Sequence, residues 1–97
     1  MAKIYIAGPM TGLPNFNRDA FRHEAKRLQS AGHATLASVF LPAFVEPHKR
    51  EAIMFSVDQV VMLPGWESCP QATAERDLAI KLGKPIVPAS PEDEEVA

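Results

Sequence analysis

The sequence predicts a single-domain α/β fold, a parallel sheet of about four strands with helices on both faces. Three observations carry that prediction. Short β-favouring runs alternate with helical patterns in the order β-α-β-α-β-α-β, which leads to parallel strands joined by right-handed crossovers. The nine prolines fall mostly at the junctions between those runs rather than inside them. Ninety-seven residues are enough for one small packed core and no more.

Lys3 to Ala7 is the first strand, and Gly8-Pro9-Met10-Thr11-Gly12 is the loop that leaves it. Leu13 to Phe16 leads into a helix from about Arg18, with Asn17 placed to cap it and Asp19 in its first turn. Phe21, Ala25 and Leu28 form its inner stripe, and Gly32 stops it. His33 to Val39 supplies the second strand. Phe40 to Val45 is apolar but interrupted by Pro42, and reads as irregular. Pro47 to Val57 is the second helix, with the proline in its first turn. Gln59 to Leu63 is the third strand and Pro64-Gly65 breaks it. Gln71 to Leu82 is the third helix, Gly83 its stop, and Lys84 to Val87 the fourth strand. The domain therefore spans residues 1–89, and the acidic stretch 90–97 reads as a flexible tail.

Composition narrows the function. A net charge of −2 with scattered Lys and Arg leaves no footprint for a nucleic acid polymer. No apolar stretch approaches the roughly 20 residues needed to span a bilayer, so no membrane partner is expected. The single cysteine, Cys69, makes no internal disulfide, and Met1 to Ile6 reads as strand rather than as a signal peptide's apolar core. A cytoplasmic location is the expectation. His23, His33 and His48 sit on unrelated elements as surface residues, so no metal site and no cofactor are expected.

Glu75 is the leading candidate for chemistry. With Leu78, Ala79 and Leu82 it falls at i, i+3, i+4 and i+7, one face of the third helix. A carboxylate on an otherwise apolar stripe is costly unless paired or used. It follows the carboxyl end of the third strand, the edge at which open α/β sheets bind ligands. Around it stand residues with two readings each. Gly8 and Gly12 can let backbone N–H groups cradle an anion, or simply make a tight strand-to-helix connection. Tyr5 points to the opposite face from Ile4 and Ile6, a position for core packing with a satisfied hydroxyl. Trp66 can stack on a base or cover the edge of the core. Ser68 and Cys69 precede a helix, where they can hold an anion or cap the helix. Asp58 reads as a helix-to-strand turn residue.

Ile4-Tyr5-Ile-Ala-Gly-Pro-Met-Thr-Gly12, Asp58-Gln-Val-Val-Met-Leu-Pro-Gly-Trp-Glu67, Ala72-Thr-Ala-Glu75 and Leu82-Gly-Lys-Pro85 together resemble the nucleoside 2-deoxyribosyltransferase superfamily, in its compact DUF4406-like branch. The resemblance runs to about Val87. It implies a flavodoxin-like, Rossmann-like parallel sheet and cleavage of the N-glycosidic bond of deoxynucleosides or their monophosphates. It also implies that Glu75 is the nucleophile and Tyr5 the residue that orients it. Gly8, Pro9 and Met10 would then wall the pocket near sugar and base, with Trp66, Ser68 and Cys69 as further substrate contacts. Cys69, with Ser68 beside it, stands where the family carries an aspartate or a phosphate-holding serine, Gln71 where a glycine is usual, and Arg50, with Glu51 one residue off, where an aspartate serves the leaving base.

The reading that follows is an N-glycosidase-like enzyme acting on a (deoxy)nucleoside or nucleoside 5′-monophosphate, with hydrolysis favoured over base exchange. The alternatives are a protein that binds a nucleotide-like ligand without turnover, and a structural or adaptor protein in which Glu75 is paired within Arg76's neighbourhood or to another cation. Homodimers or higher homo-oligomers are expected, because Phe40, Leu41, Phe44, Val45, Met54 and Phe55 offer more apolar surface than so small a domain buries easily.

Overall fold

The computed structural model describes residues 2–10, 12–40 and 46–89. Thr11, the segment 41–45 and the acidic stretch 90–97 lie outside the described residues, and with them Leu41, Phe44 and Val45 of the expected apolar surface. Four strands, β1 (Lys3–Ala7), β2 (Ala34–Ala37), β3 (Gln59–Met62) and β4 (Ile86–Pro88), pair in the order β2-β1-β3-β4. All three pairings are parallel. Between the strands run α1 (Arg18–Ser30), α2 (Pro47–Ser56) and α3 (Pro70–Lys81). This is the flavodoxin-like, Rossmann-like α/β architecture. Among the described residues no helix is long and apolar enough to cross a membrane.

The strands alternate as a sheet buried on both faces requires. Ile4, Ile6, Val61 and Leu63 face α1, where Phe21, Ala25 and Leu28 meet them. Tyr5, Ala7, Val60 and Met62 face the other side, packed with Met54 and Val57 around α2 and with Ala72 and Ala79 of α3. Met54 is therefore core, 1% exposed, and drops out of the expected surface patch, whereas Phe40 and Phe55 stay more than half exposed. Met54 lies four residues after Arg50 on α2, on the face that packs into the core.

Helix ends differ from expectation in instructive ways. Gly32 and Gly83 do stop α1 and α3, each at positive φ (95° and 75°). In each case the residue after the glycine also donates back into the last turn, His33 to Leu28 and Lys84 to Ala79. That return bond draws Lys84 out of β4, which starts at Ile86. At the start of α1, Asn17 holds the N-cap position but makes no side-chain cap. Its φ of 63° explains this, because a capping side chain needs an extended backbone to reach the first-turn N–H groups. Asn15 and Phe16 are left-handed too, at φ 53° and 55°. Three such residues in a row store roughly 1–3 kcal/mol each, and they leave the Phe16 ring largely exposed.

Candidate functional site

The central strands β1 and β3 send their following helices to opposite faces, α1 to one and α3 to the other. Their carboxyl ends therefore flank the topological switch point, the crevice where folds of this strand order take ligands. The two loops at that edge interlock. A methyl group on Gly8 would lie 2.6 Å from Leu63 Cβ, and one on Gly65 would touch Pro9 at 3.5 Å. Gly8 is thus required by close approach, with no positive φ involved. Gly8, Pro9 and Met10 are all buried, and Met10 packs with the α1-side cluster, so the loop forms a wall whose side chains belong to the core.

Glu75 lies beneath this edge, 2% exposed. The stripe that carries it is built from Ala72 and Ala79, both fully buried, with Leu78 and Leu82 half-buried at its margin. Small neighbours bring the α3 backbone close to the sheet, within reach of the middle of β1. There Tyr5 donates its hydroxyl to Glu75 Oε2 at 2.5 Å, across 70 residues of sequence. The other carboxylate oxygen, Oε1, is buried and has no hydrogen-bond partner among the described residues. An orphaned buried acceptor on a carboxylate is expensive, and it calls for a water, an ion, a ligand's donor or a catalytic use.

Burial pushes the Glu75 carboxyl from its ordinary 4.5 up to about 7, against the opposing pull of the Tyr5 hydrogen bond and of the Arg50 charge. Arg50 is half-buried on α2, four and seven residues before the buried Met54 and Val57. The sequence marked Arg50 only as a substitution at a position that serves the leaving base. Its charge is the weaker of the two influences that hold the Glu75 carboxyl down against burial. Arg76 turns elsewhere: its guanidinium stacks 5.1 Å from the Trp66 ring centroid and pairs with Asp77 at 3.4 Å. Glu75 is thus held by Tyr5, not by a cation on its own helix.

The remaining candidates occupy the β3–α3 connection. Trp66 is half-buried against the α3-side cluster, with the Arg76 guanidinium over its ring. Ser68 is exposed and donates its hydroxyl to the Gly65 carbonyl at 2.9 Å. Cys69 is 3% exposed and packs with the cluster around Tyr5. The N–H groups of Ser68 and Cys69 close the turn onto Gly65 and Trp66. Pro70 has no N–H, so Gln71 and Ala72 are the donors left at the start of α3. A cleft of about 120 Å³ opens beside Met62, Trp66, Glu67 and Pro88. It is too small for a nucleoside, since ligand pockets run to roughly 300–1,000 Å³.

Asp58 does serve the turn, accepting the Lys3 N–H at 2.7 Å and tying the start of β3 to β1. His33 is half-buried and accepts the Ala2 N–H through Nδ1, and the exposed His48 pairs with Glu46. Among the described residues no three His, Cys, Asp or Glu side chains converge on a point that could hold a metal ion. Glu24 escaped the sequence reading altogether. It is 1% exposed on the inner side of α1, with both oxygens taken by Arg27 at 3.1 and 2.6 Å.

Compared with known proteins, the chain matches the family described as Domain of unknown function (DUF4406) over residues 2–88. No curated protein matches it.

Proposed function

The chain belongs to the DUF4406 family, and we propose that within it this protein is an N-glycosidase-like enzyme of (deoxy)nucleosides or nucleoside 5′-monophosphates. Glu75 is the nucleophile and Tyr5 the residue that orients it. Hydrolysis is favoured over base exchange. One observation carries the reading: a buried carboxylate, fixed through one oxygen by Tyr5, keeps its other oxygen unpartnered beneath the switch-point crevice. A carboxylate held this way can attack an anomeric carbon and form a glycosyl intermediate, which divides one difficult displacement into two. The deciding experiment is incubation with a panel of nucleosides, deoxynucleosides and their 5′-monophosphates, watching for free base. Base release supports the enzyme. Tight binding without release would select the second reading, a nucleotide-like ligand-binding protein, which Arg50 and Gln71 favour because they stand where the resembled enzymes carry catalytic or permissive residues.

Two further expectations attach to this reading. A 5′-monophosphate should bind more tightly than its nucleoside, by at most about ten-fold. A helix N-terminus attracts an anion by roughly 0.3–1 kcal/mol, and a charge-assisted bond from Gln71 or Ala72 adds to it. The Ser68 hydroxyl contributes only if it gives up its bond to Gly65. Calorimetry on matched pairs measures the difference, and equal affinities would reduce the β3–α3 loop to a helix cap. The protein should also self-associate, because Phe40, Phe55 and Ile80 are 51%, 66% and 51% exposed. Light scattering that returns a monomer mass at assay concentrations would refute that.

A further inference from the structure

The carboxyl edge of the sheet has a second opening, apart from the crevice between β1 and β3. The cleft of about 120 Å³ lies past the paired ends of β3 and β4, between the turn that carries Trp66 and Glu67 and the backbone at Pro88. Its walls differ in chemistry. Among the described residues that line it, Met62 and Pro88 are apolar, Trp66 is the one aromatic ring and Glu67 the one charged group. Glu67 is exposed, and among the described residues nothing pairs with its carboxylate. The Trp66 ring already accepts a cation, since the Arg76 guanidinium lies 5.1 Å from its centroid. That guanidinium does not fill the cleft: Arg76 is not among the lining residues, and its charge is shared with Asp77 at 3.4 Å. The opening therefore keeps an indole and an unpaired carboxylate, with no cation of its own.

We propose that this cleft binds a small alkylammonium ion, with the Trp66 ring and the Glu67 carboxylate as its two recognition elements. Size and charge together select that class. A cavity of about 150 Å³ holds benzene, so this cleft has room for roughly five heavy atoms. An anion would meet Glu67. A hard metal ion needs six or more oxygen ligands, and one carboxylate does not supply them. An alkylated ammonium meets every wall: its methyl groups lie on Met62 and Pro88, and its charge on the indole and the carboxylate. Neither Tyr5 nor Glu75 lines the cleft, so the site stands apart from the glycosidase reading.

Trp66 is the only tryptophan of the chain, so its emission reports on the cleft directly. Tetramethylammonium chloride is titrated into the full-length protein at constant ionic strength, replacing sodium chloride one for one. Neutral 2,2-dimethylpropan-1-ol, of similar shape, is the comparison. The ammonium should saturate in the millimolar range expected of so few atoms in an open cleft. It should bind about five- to ten-fold more tightly than the alcohol, the size of one cation–π contact. Glu67→Gln should remove most of that preference and Glu67→Asp should keep it, and since Glu67 is exposed, neither should change the melting temperature. Trp66→Leu should abolish binding, read by saturation transfer from the protein to the methyl protons of the ammonium. Arg76→Gln should leave the affinity within about two-fold, because Arg76 lies outside the cleft. No saturable binding, equal affinities for the two compounds, or a preference that survives Glu67→Gln overturns the site. So does a large gain in affinity in Arg76→Gln, which would mean that the ammonium only takes the guanidinium's place on the ring.

Discussion

Glu75→Gln is expected to abolish base release while making the protein more stable at alkaline pH. The amide is isosteric with the carboxyl, and its oxygen can still accept the Tyr5 hydroxyl, so the fold is retained. What is lost is the proposed nucleophile, and turnover should fall by roughly 10⁴-fold or more. The stability effect follows from linkage. The carboxyl titrates at about 7 in the folded protein against an ordinary 4.5. Burial therefore leaves stability untouched below about pH 4.5 and removes it progressively as the pH rises through about 7. At 1.36 kcal/mol per pH unit the loss reaches ~3 kcal/mol. Wild type and variant should melt together in acid, and the variant should melt more than about 10 °C higher at alkaline pH. Parallel melting curves at all pH values would mean that Glu75 is never buried as an anion. Undiminished turnover in the variant would end its role as nucleophile.

Tyr5→Phe should shift the pH dependence rather than erase activity. Its hydroxyl bond to Oε2 is one of two influences that hold the carboxyl down against burial. Without it both oxygens are buried and unpartnered, and the ionised form is disfavoured further. A hydrogen bond to a charged group is worth about 1.5–3 kcal/mol, which corresponds to one to two pH units on the acid limb of the rate profile. Turnover at neutral pH should drop roughly 10- to 100-fold and recover as the pH is raised. A uniform loss with an unmoved acid limb would show that Tyr5 acts on the substrate instead of on Glu75.

Much of this architecture was legible because the sequence punctuates it. Pro47 and Pro70 open helices, Gly32 and Gly83 close them, and the alternation of Ile4, Tyr5 and Ile6 assigns each to its face. Glu75 stood out because its helical neighbours are apolar. Glu24 did not, because Arg27 follows it at i+3 and the pair reads as a solvated helix face. The left-handed turn at Asn15 to Asn17 carries a phenylalanine where such a backbone favours glycine, so residue preference argued against it. Gly8 read equally as an anion cradle or a tight connection, since nothing local reveals that Leu63 fills the space above it. Arg50 was legible as a substitution but not as a charge that acts on Glu75, because which face of α2 turns inward depends on packing against the rest of the fold.

The interlock of Gly8 with Leu63 and of Pro9 with Gly65 also bears on how this site comes into being. Tyr5 and Glu75 are 70 positions apart, and the loops that enclose them touch only once β3 has docked beside β1. No hairpin or helix pair can preassemble any part of it. Local contacts dominate α1 and its return to β2, but the chemistry waits for the pairing of highest contact order in the chain, which is the slow kind of closure. It has no opening mode of its own either, because the contacts that align Glu75 are those that hold the central sheet together. Competence and global cooperativity are one transition in this chain, and a destabilising change anywhere in the two central strands reaches the carboxylate directly.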